Sequence, residues 1–450
     1  MIEQPESASQ SKQSHWNQDS ILIKLGVITV IILLLLIPSA WIQSLVTDRE
    51  GYQQENLQHV ADKWAGSQLV QGPVMALPYR KMVTENDSAG KQITHEVTKT
   101  LYVLPQSLKM VADIKTQQYS SGIYDAIVYN SKVDVTGSFN QADLSELNID
   151  PASVEYDKAK LIFGISDLKG LKNNPVINIQ GQSYNPEPSE NENMPVNNGL
   201  RVNFALQKDH GFNFSYQLDL KGSNELNFLD LGKTTDVEVH SEWKHPEFNG
   251  RYLPDTRAIN EKGFAAKWQM LYYNRPFPQQ WTGGDSVLTN KKALANAVTG
   301  VKLQLPIDQY RKILRTTKYS TLIILLTFVS LFLAEMIKKE RIHLFNYTLI
   351  GAAMVVYYTL LLSFAEQIGY NYAYLLSSVS TIGLIAIFSA SLLNNRNVAV
   401  LFAFILAVFY GFIFIIIQLE ELSLLFGSVA LFIIVATLMY FSRKINWYKH

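Results

Sequence analysis

Six charge-poor apolar runs, one alone near the start and five in the last third, constrain this chain more than any other feature. A long polar stretch separates the first from the rest. The lone run, residues 25–46, carries no charged side chain. At 1.5 Å per residue it spans about 33 Å, enough for a hydrocarbon layer roughly 30 Å thick. The later runs are 319–337, 344–365, 372–393, 398–417 and 423–441, with Lys, Arg, Glu and Asn confined near their ends. Each reads as a membrane-spanning helix, six in all. The first is too long for a signal-peptide core of about 7–15 residues, and Pro38-Ser39-Ala40 fits a cleavage site poorly. It is therefore expected to remain as an anchor.

Orientation follows from Lys and Arg in the short loops and tails, from which long translocated segments are exempt. Lys12, Lys24, Lys338, Lys339, Arg341, Arg396, Arg443, Lys444 and Lys449 all fall on one side of a six-helix arrangement. The opposite short loops, 366–371 and 418–422, hold no Lys or Arg. Both termini are expected in the cytoplasm and the polar stretch outside. Arg311, Lys312, Arg315 and Lys318, crowded at the outer end of the second helix, conflict locally and are outvoted. Trp41, Tyr319, Tyr347, Tyr370, Tyr372, Trp447 and Tyr448 read as interfacial aromatics.

The expected fold is a membrane protein of the α + β class, with six transmembrane helices and a large all-β domain inserted between the first and second. Residues 1–24 form a cytoplasmic tail, 25–46 the first helix, 47–318 the outer β-rich domain, 319–441 a five-helix bundle and 442–450 a second tail. With 39 basic and 39 acidic side chains the net charge is zero, which gives no basic field for nucleic acid. There is no cysteine, so the outer domain must hold itself by core burial, without disulfides or thiolate metal sites.

Within the outer stretch the dominant period is two. Phe212, Phe214, Tyr216, Leu218 and Leu220 alternate with Asn213, Ser215, Gln217 and Asp219, as in a strand with one buried face. Similar runs at 100–104, 109–115, 123–129, 132–139, 160–165, 176–179, 201–206, 236–243, 264–273 and 301–305 predict packed sheets. The segment 183–199, rich in Asn, Glu, Pro and Ser, reads as a mobile loop, either a linker between two subdomains, 70–180 and 200–305, or a long hairpin loop, which looks the same in sequence. Tyr52, Leu57, Val60 and Trp64 recur near helical spacing, so the first helix is expected to continue outward as a stalk, stopped by Gly66 and Gly72-Pro73.

Several short stretches, in order, carry a family resemblance. They are Gly122-Ile123-Tyr124, Gly164-Ile165-Ser166-Asp167, His245-Pro246-Glu247-Phe248-Asn249-Gly250, Leu253-Pro254 and Gly263-Phe264-Ala265-Ala266-Lys267-Trp268. Asp308-Gln309-Tyr310, Lys318-Tyr319, Arg341-Ile342-His343 and Trp447-Tyr448 follow. Together with the one-plus-five layout, the chain resembles the CreD family of bacterial inner-membrane proteins, described as cell envelope integrity proteins. That resemblance implies a Gram-negative inner membrane, a periplasmic outer domain and a role in envelope stress or antibacterial tolerance. It brings no reaction and no catalytic residues.

The residues themselves advertise little chemistry. There is no Walker phosphate loop, G-x-S-x-G elbow, H-E-x-x-H helix or dinucleotide fingerprint, so no catalytic residue and no cofactor is expected. Glu238, His240, Glu242 and His245 form a weak metal candidate, the first three on one face of a strand; alternation alone makes that face a solvated one. His245, Phe248, Trp268 and Trp281 could line a ligand groove, although buried aromatics usually belong to a core. Glu366, Glu420 and Glu421 fall by topology at the same interface as Arg311, Arg315 and Lys318, and pairing among them would fix the β domain against the bundle. The sharper alternative is a cation or proton site at the mouth of a transporter, with Glu335 near the inner end, where it can also reach the interface beside Lys338. Ser363, Ser377, Ser378, Ser380 and Thr381 serve either as helix contacts or as path lining.

Three function classes follow. The leading one is a non-enzymatic envelope protein whose β domain binds or braces an unidentified periplasmic or envelope component. A transporter or lipid-handling protein is second and an envelope hydrolase third. Membrane lipids are expected partners and nucleic acid is not.

Overall fold

The computed structural model describes residues 21–86, 92–189, 198–208, 210–283, 286–303, 309–338, 342–392 and 396–419, with 425–429 and a few isolated positions beyond. Their contacts divide the chain into a helical unit, 1–52 with 307–450, and a β unit, 53–306. Helix α1, Ile21–Trp64, is continuous, so the run at 25–46 and the expected stalk are one element. In the β unit its last turns pack Leu57, Val60 and Trp64 against Ala126 and Val128.

Seventeen strands are seen among the described residues. The first five are β1 Gln68–Asn86, β2 Gln92–Val103, β3 Ser107–Ser121, β4 Tyr124–Phe139 and β5 Ala159–Ile165. Next come β6 Ile177–Ile179, β7 Gln182–Tyr184, β8 Glu187–Pro188, β9 Gly199–Phe204, β10 Phe212–Ser223 and β11 Glu225–Leu229. The last are β12 Thr234–Ser241, β13 Pro246–Gly250, β14 Thr256–Asn260, β15 Gly263–Leu271, β16 Gln280–Thr282 and β17 Val298–Leu303. Two short helices, α2 Ser286–Thr289 and α3 Lys291–Ala295, precede β17.

One sheet runs β13-β17-β11-β1-β5-β9-β8, with β2 paired to β1 and β16 to β2; the other runs β14-β15-β12-β3-β4-β10-β6-β7. Each sheet takes strands from both halves of the sequence, and one hydrophobic cluster serves them all. The division into 70–180 and 200–305 is therefore corrected to one two-sheet body. The reason is register: β1 lies parallel to β11 and antiparallel to β5, and β10 pairs with β4 along its length. The loop expected at 183–199 is in part strand, because β7 and β8 pair with β6 and β9; residues 190–197 of it lie outside the described set.

β10 buries Phe212, Phe214, Tyr216, Leu218 and Leu220, the positions set by its alternation. β1 obeys another rule. Every residue from Val70 to Tyr79 is buried, so both faces are covered and period two vanishes.

The helical unit continues with α4 Gln309–Lys318, α5 Ser320–Lys338, α6 Leu344–Ile368, α7 Tyr370–Leu392 and α8 Arg396–Gln418. Four described helices are long and apolar enough to cross a membrane, or five if α4 and α5, bent by 41°, count as one span. Most of the sixth run, 423–441, lies outside the described residues. Residues 309–318, read from sequence as the end of the β domain, form α4 and bury Tyr310, Ile313, Thr316 and Thr317 on one face within the helical unit. That recurrence at three and four residues is the signature of a packed helix.

Candidate functional site

The helical unit is built around a stripe on α1. Ile28, Leu35, Ser39, Ile42 and Val46 are buried, at steps of seven, four, three and four, while Leu33, Leu34, Ile37 and Trp41 face outward. That is the heptad seam of a helix packed on helices. Gly351 of α6 supplies the notch: a Cβ there would collide with Leu35 Cδ1 and press on Phe328. Ser39 Oγ and Ser320 Oγ share a buried hydrogen bond of 2.6 Å.

Carboxylates hold both ends of this packing. Toward the start of α6, Lys24 forms an ion pair with Glu335 and donates to Ile342 O at 2.9 Å, and the Tyr347 hydroxyl donates to Glu335 Oε2 at 2.9 Å. Lys24 on α1 is thus the described partner of Glu335, a contact between distant segments that sequence spacing could not give. Near the end of α6, Glu366 Oε1 accepts from the Tyr310 hydroxyl at 3.1 Å and lies 3.8 Å from Arg49 Nε. Arg311, Arg315 and Lys318 sit on α4 in the same unit. Of the set assigned from sequence to a joint between domains, Glu366 finds its partners Arg49 and Tyr310 inside the helical unit. Glu420 and Glu421 lie outside the described residues.

Between those ends polar side chains are buried among apolar ones such as Met354, Leu361, Leu406 and Ile413. α7 buries Tyr370, Tyr374, Ser377, Ser378, Thr381 and Ser389 and turns Leu375, Val379, Leu384 and Ile387 outward. This is the reverse of a helix on a water-soluble protein, and it is expected where hydrocarbon lies outside. Tyr357 and Tyr358 of α6 and Tyr410 of α8 are also buried. The Tyr357 ring stands edge-on to Tyr410 at 4.8 Å and to Tyr374 at 6.0 Å. The Thr316 and Tyr370 hydroxyls are 2.8 Å apart, and Tyr374 donates to Tyr410 O at 2.7 Å. The hydroxyls of Tyr358, Tyr410, Ser377 and Ser389 are buried with no protein partner among the described residues. Each such group costs about 1–3 kcal/mol, so their collection on one interior calls for a reason beyond packing.

Of the aromatics read as interfacial, Tyr347 and Tyr370 pack inside the helical unit, at 0% and 2% exposure, while Tyr372, at 72%, faces out. The signal available was the recurrence of Tyr at 357, 358, 374 and 410 within apolar runs, with Tyr370 just before one.

In the β unit, Glu238 of β12 lies opposite Lys267 of β15, with Lys267 Nζ at 3.0 Å and Lys109 Nζ at 3.8 Å. The hydrogen bond from Lys267 holds the Glu238 carboxyl below its ordinary range. His240, Glu242 and His245 are exposed, the last two beyond the strand end, and no group of three His, Asp or Glu among the described residues could hold a metal ion. The groove residues separate. Trp268 is fully buried, edge-on to Phe248 at 5.7 Å, and donates to Tyr252 O at 3.2 Å. Trp281 stacks on Tyr102 at 5.4 Å, while His245 stands exposed beside Trp243. Trp268 is core, and these four side chains do not line one groove. A water-sized cavity of about 10 Å³ lies elsewhere, beside Met75, Tyr156 and Phe212.

Two polar features were missed. Ser166 and Asp167, just after β5, bind the chain as it leaves α1: Gly66 N donates to Asp167 Oδ2 at 3.1 Å, Leu69 N to Ser166 Oγ at 3.0 Å, and buried Gln68 bonds the Asp167 backbone. Asp230, 3% exposed, accepts from Thr299 Oγ1 at 3.1 Å. Burial pushes its carboxyl up to about 8 from 3.8.

The stretches that fix these contacts, from Ser166-Asp167 through Phe248 and Trp268 to Tyr310, lie within the region covered by one family model. The model described as "Inner membrane protein CreD" matches residues 20–448. The chain belongs to the CreD family. The Inner membrane protein CreD of Escherichia coli (strain K12) is 27% identical to it over 422 residues, covering 93% of this chain and 91% of that protein. This CreD-family chain, with several helices apolar enough to span, is a multi-pass inner-membrane protein. The CreD match takes in both units.

Proposed function

We propose that this protein serves the integrity of the cell envelope by holding a β-sheet binding module in the periplasm, anchored by six spans with both termini in the cytoplasm. The module binds or braces an envelope component without chemistry of its own. The observation that carries this reading is an exposed apolar surface beside a sheet edge. β14 ends its sheet and is exposed along its whole length; Leu253 just before it, and Leu271 and Tyr273 at and past the end of the neighbouring β15, are 68%, 49% and 92% exposed. Asp255 accepts from Gln269 N at 2.7 Å, which lays the Leu253 segment alongside β15. Edge strands with apolar neighbours favour added strands and partner surfaces. The test is a photoreactive side chain at Tyr273 in living cells, compared with one at Lys158, whose side chain is 60% exposed on another segment. Adducts at 273 and none at 158 are expected; no adduct at 273 would sink the reading.

The buried hydroxyls of α6, α7 and α8 favour a second reading, transport or lipid handling by the bundle. Glu366 near one end and Glu335 near the other support it, since ionisable groups inside a bundle usually mark a path.

A further inference from the structure

We propose that the hydroxyl-lined interior of α6, α7 and α8 is a proton route that opens at Glu366. It rests on the second reading above and names the species carried.

The polar groups follow one another inward from Glu366. Tyr310 donates to Glu366 at 3.1 Å; from the same helix, Thr316 reaches Tyr370 at 2.8 Å. The Tyr370 and Tyr374 rings are 5.8 Å apart, Tyr374 bonds Tyr410 O, and Tyr357 touches both Tyr374 and Tyr410. Ser377 and Tyr358 complete this layer with buried hydroxyls that no protein group among the described residues satisfies. Beyond it, α6 runs about 15 Å from Tyr357 to Tyr347 and Glu335. Buried Thr381 and Ser389 lie along α7, which neighbours α6. Unsatisfied groups of this kind point to water, the smallest species that both donates and accepts.

Ligand number and shape select the proton over other cargo. Arg49, 3.8 Å from Glu366, and Lys312, 5.8 Å above the Tyr370 ring, repel every cation alike. A metal ion must exchange its water for about six oxygen ligands, whereas a proton needs one lone pair at each step. Each hydroxyl takes a proton on a lone pair as it releases its own, so every group returns to its starting form. The edge-on tyrosine rings leave no lane for a bulky solute.

The test uses the full chain in liposomes that enclose pyranine, with membrane potential clamped by potassium and valinomycin and the outside made acidic. Wild-type protein should collapse the pH gradient at least tenfold faster than protein-free liposomes. Glu366→Gln and the double variant Tyr358→Phe, Tyr410→Phe should each lose most of that rate. The double variant keeps every ring and so preserves the packing if Glu366→Gln fails to fold. Wild-type proton flux equal to empty liposomes overturns the route; the second reading falls with it when sodium flux, read in liposomes without valinomycin, and lipid transfer are absent as well. Metal-ion flux without proton flux overturns the route alone. Unchanged proton flux in the folded double variant overturns the assignment to these hydroxyls.

Discussion

Asp230 shows how one buried residue can set a pH dependence. Its folded-state carboxyl is raised to about 8 by burial against 3.8 when exposed, so between those values the folded β unit keeps a proton that the unfolded chain releases. The contribution is complete below about pH 4 and is lost as pH rises toward 8. Stability of the β unit should fall by roughly 1.4 kcal/mol per pH unit from this group across that window. Asp230→Asn, which keeps an acceptor for Thr299, should flatten the profile and leave the protein more stable at pH 8; equal slopes in denaturant melts at pH 5, 6.5 and 8 would count against it. At Trp268 the effect is packing. Trp268→Ala removes a fully buried ring and should cost about 3–5 kcal/mol without touching the helical unit. In the bundle, Lys24→Ala leaves Glu335 buried beside Tyr347 without its cation, at a cost of about 3–5 kcal/mol. Lys24→Met with Glu335→Leu should recover most of that loss in detergent melts.

At the scale of elements, α1 is one helix with two packing partners. Its heptad stripe seats on the helical unit through residue 46, and Leu57, Val60 and Trp64 seat on β4. The bundle end depends on Gly351, where overpacking by a large side chain costs about 1–3 kcal/mol or more. Gly351→Leu should therefore lower the melting temperature of the helical unit and free Ser39 from Ser320. Disulfide trapping between cysteines at 39 and 320 reads this directly: efficient in the parent background, poor with Gly351→Leu. Retained trapping would show that α1 does not need the notch. At the other end of α1, Ser166-Asp167 fixes the turn from helix to sheet through donors on Gly66 and Leu69. The short family stretch Gly164-Ile165-Ser166-Asp167 thus has a local role, satisfying backbone groups at a buried corner.

For the whole molecule, two units with separate cores predict two unfolding transitions rather than one. Calorimetry of the solubilised chain should show them, with Trp268→Ala moving one and Gly351→Leu the other. A single transition moved by both would mean that the units unfold together. The surface beside β14 and the buried hydroxyls of α6 to α8 belong to different units, so loss of crosslinks from Tyr273 should leave proton flux intact.

By itself, the sequence determined the elements whose periodicity one environment imposes. The apolar runs became α1 and α5 to α8 among the described residues, and β10 followed its alternation, because hydrocarbon on all sides or a core on one face leaves a local pattern. β1 escaped that logic because both of its faces are buried from Val70 to Tyr79, and the boundary read near 183–199 does not divide the sheets because β1–β11 and β4–β10 pairing joins residues far apart in the chain. The candidate sites divide in the same way. Glu335 and Glu366 stood out as charges at the ends of apolar runs, whereas Lys24, Arg49 and Tyr310 became their partners only through packing. Tyrosines that could sit at a membrane surface were turned inward by the contact of α6, α7 and α8, since a hydroxyl between helices can meet other polar groups and one facing hydrocarbon cannot.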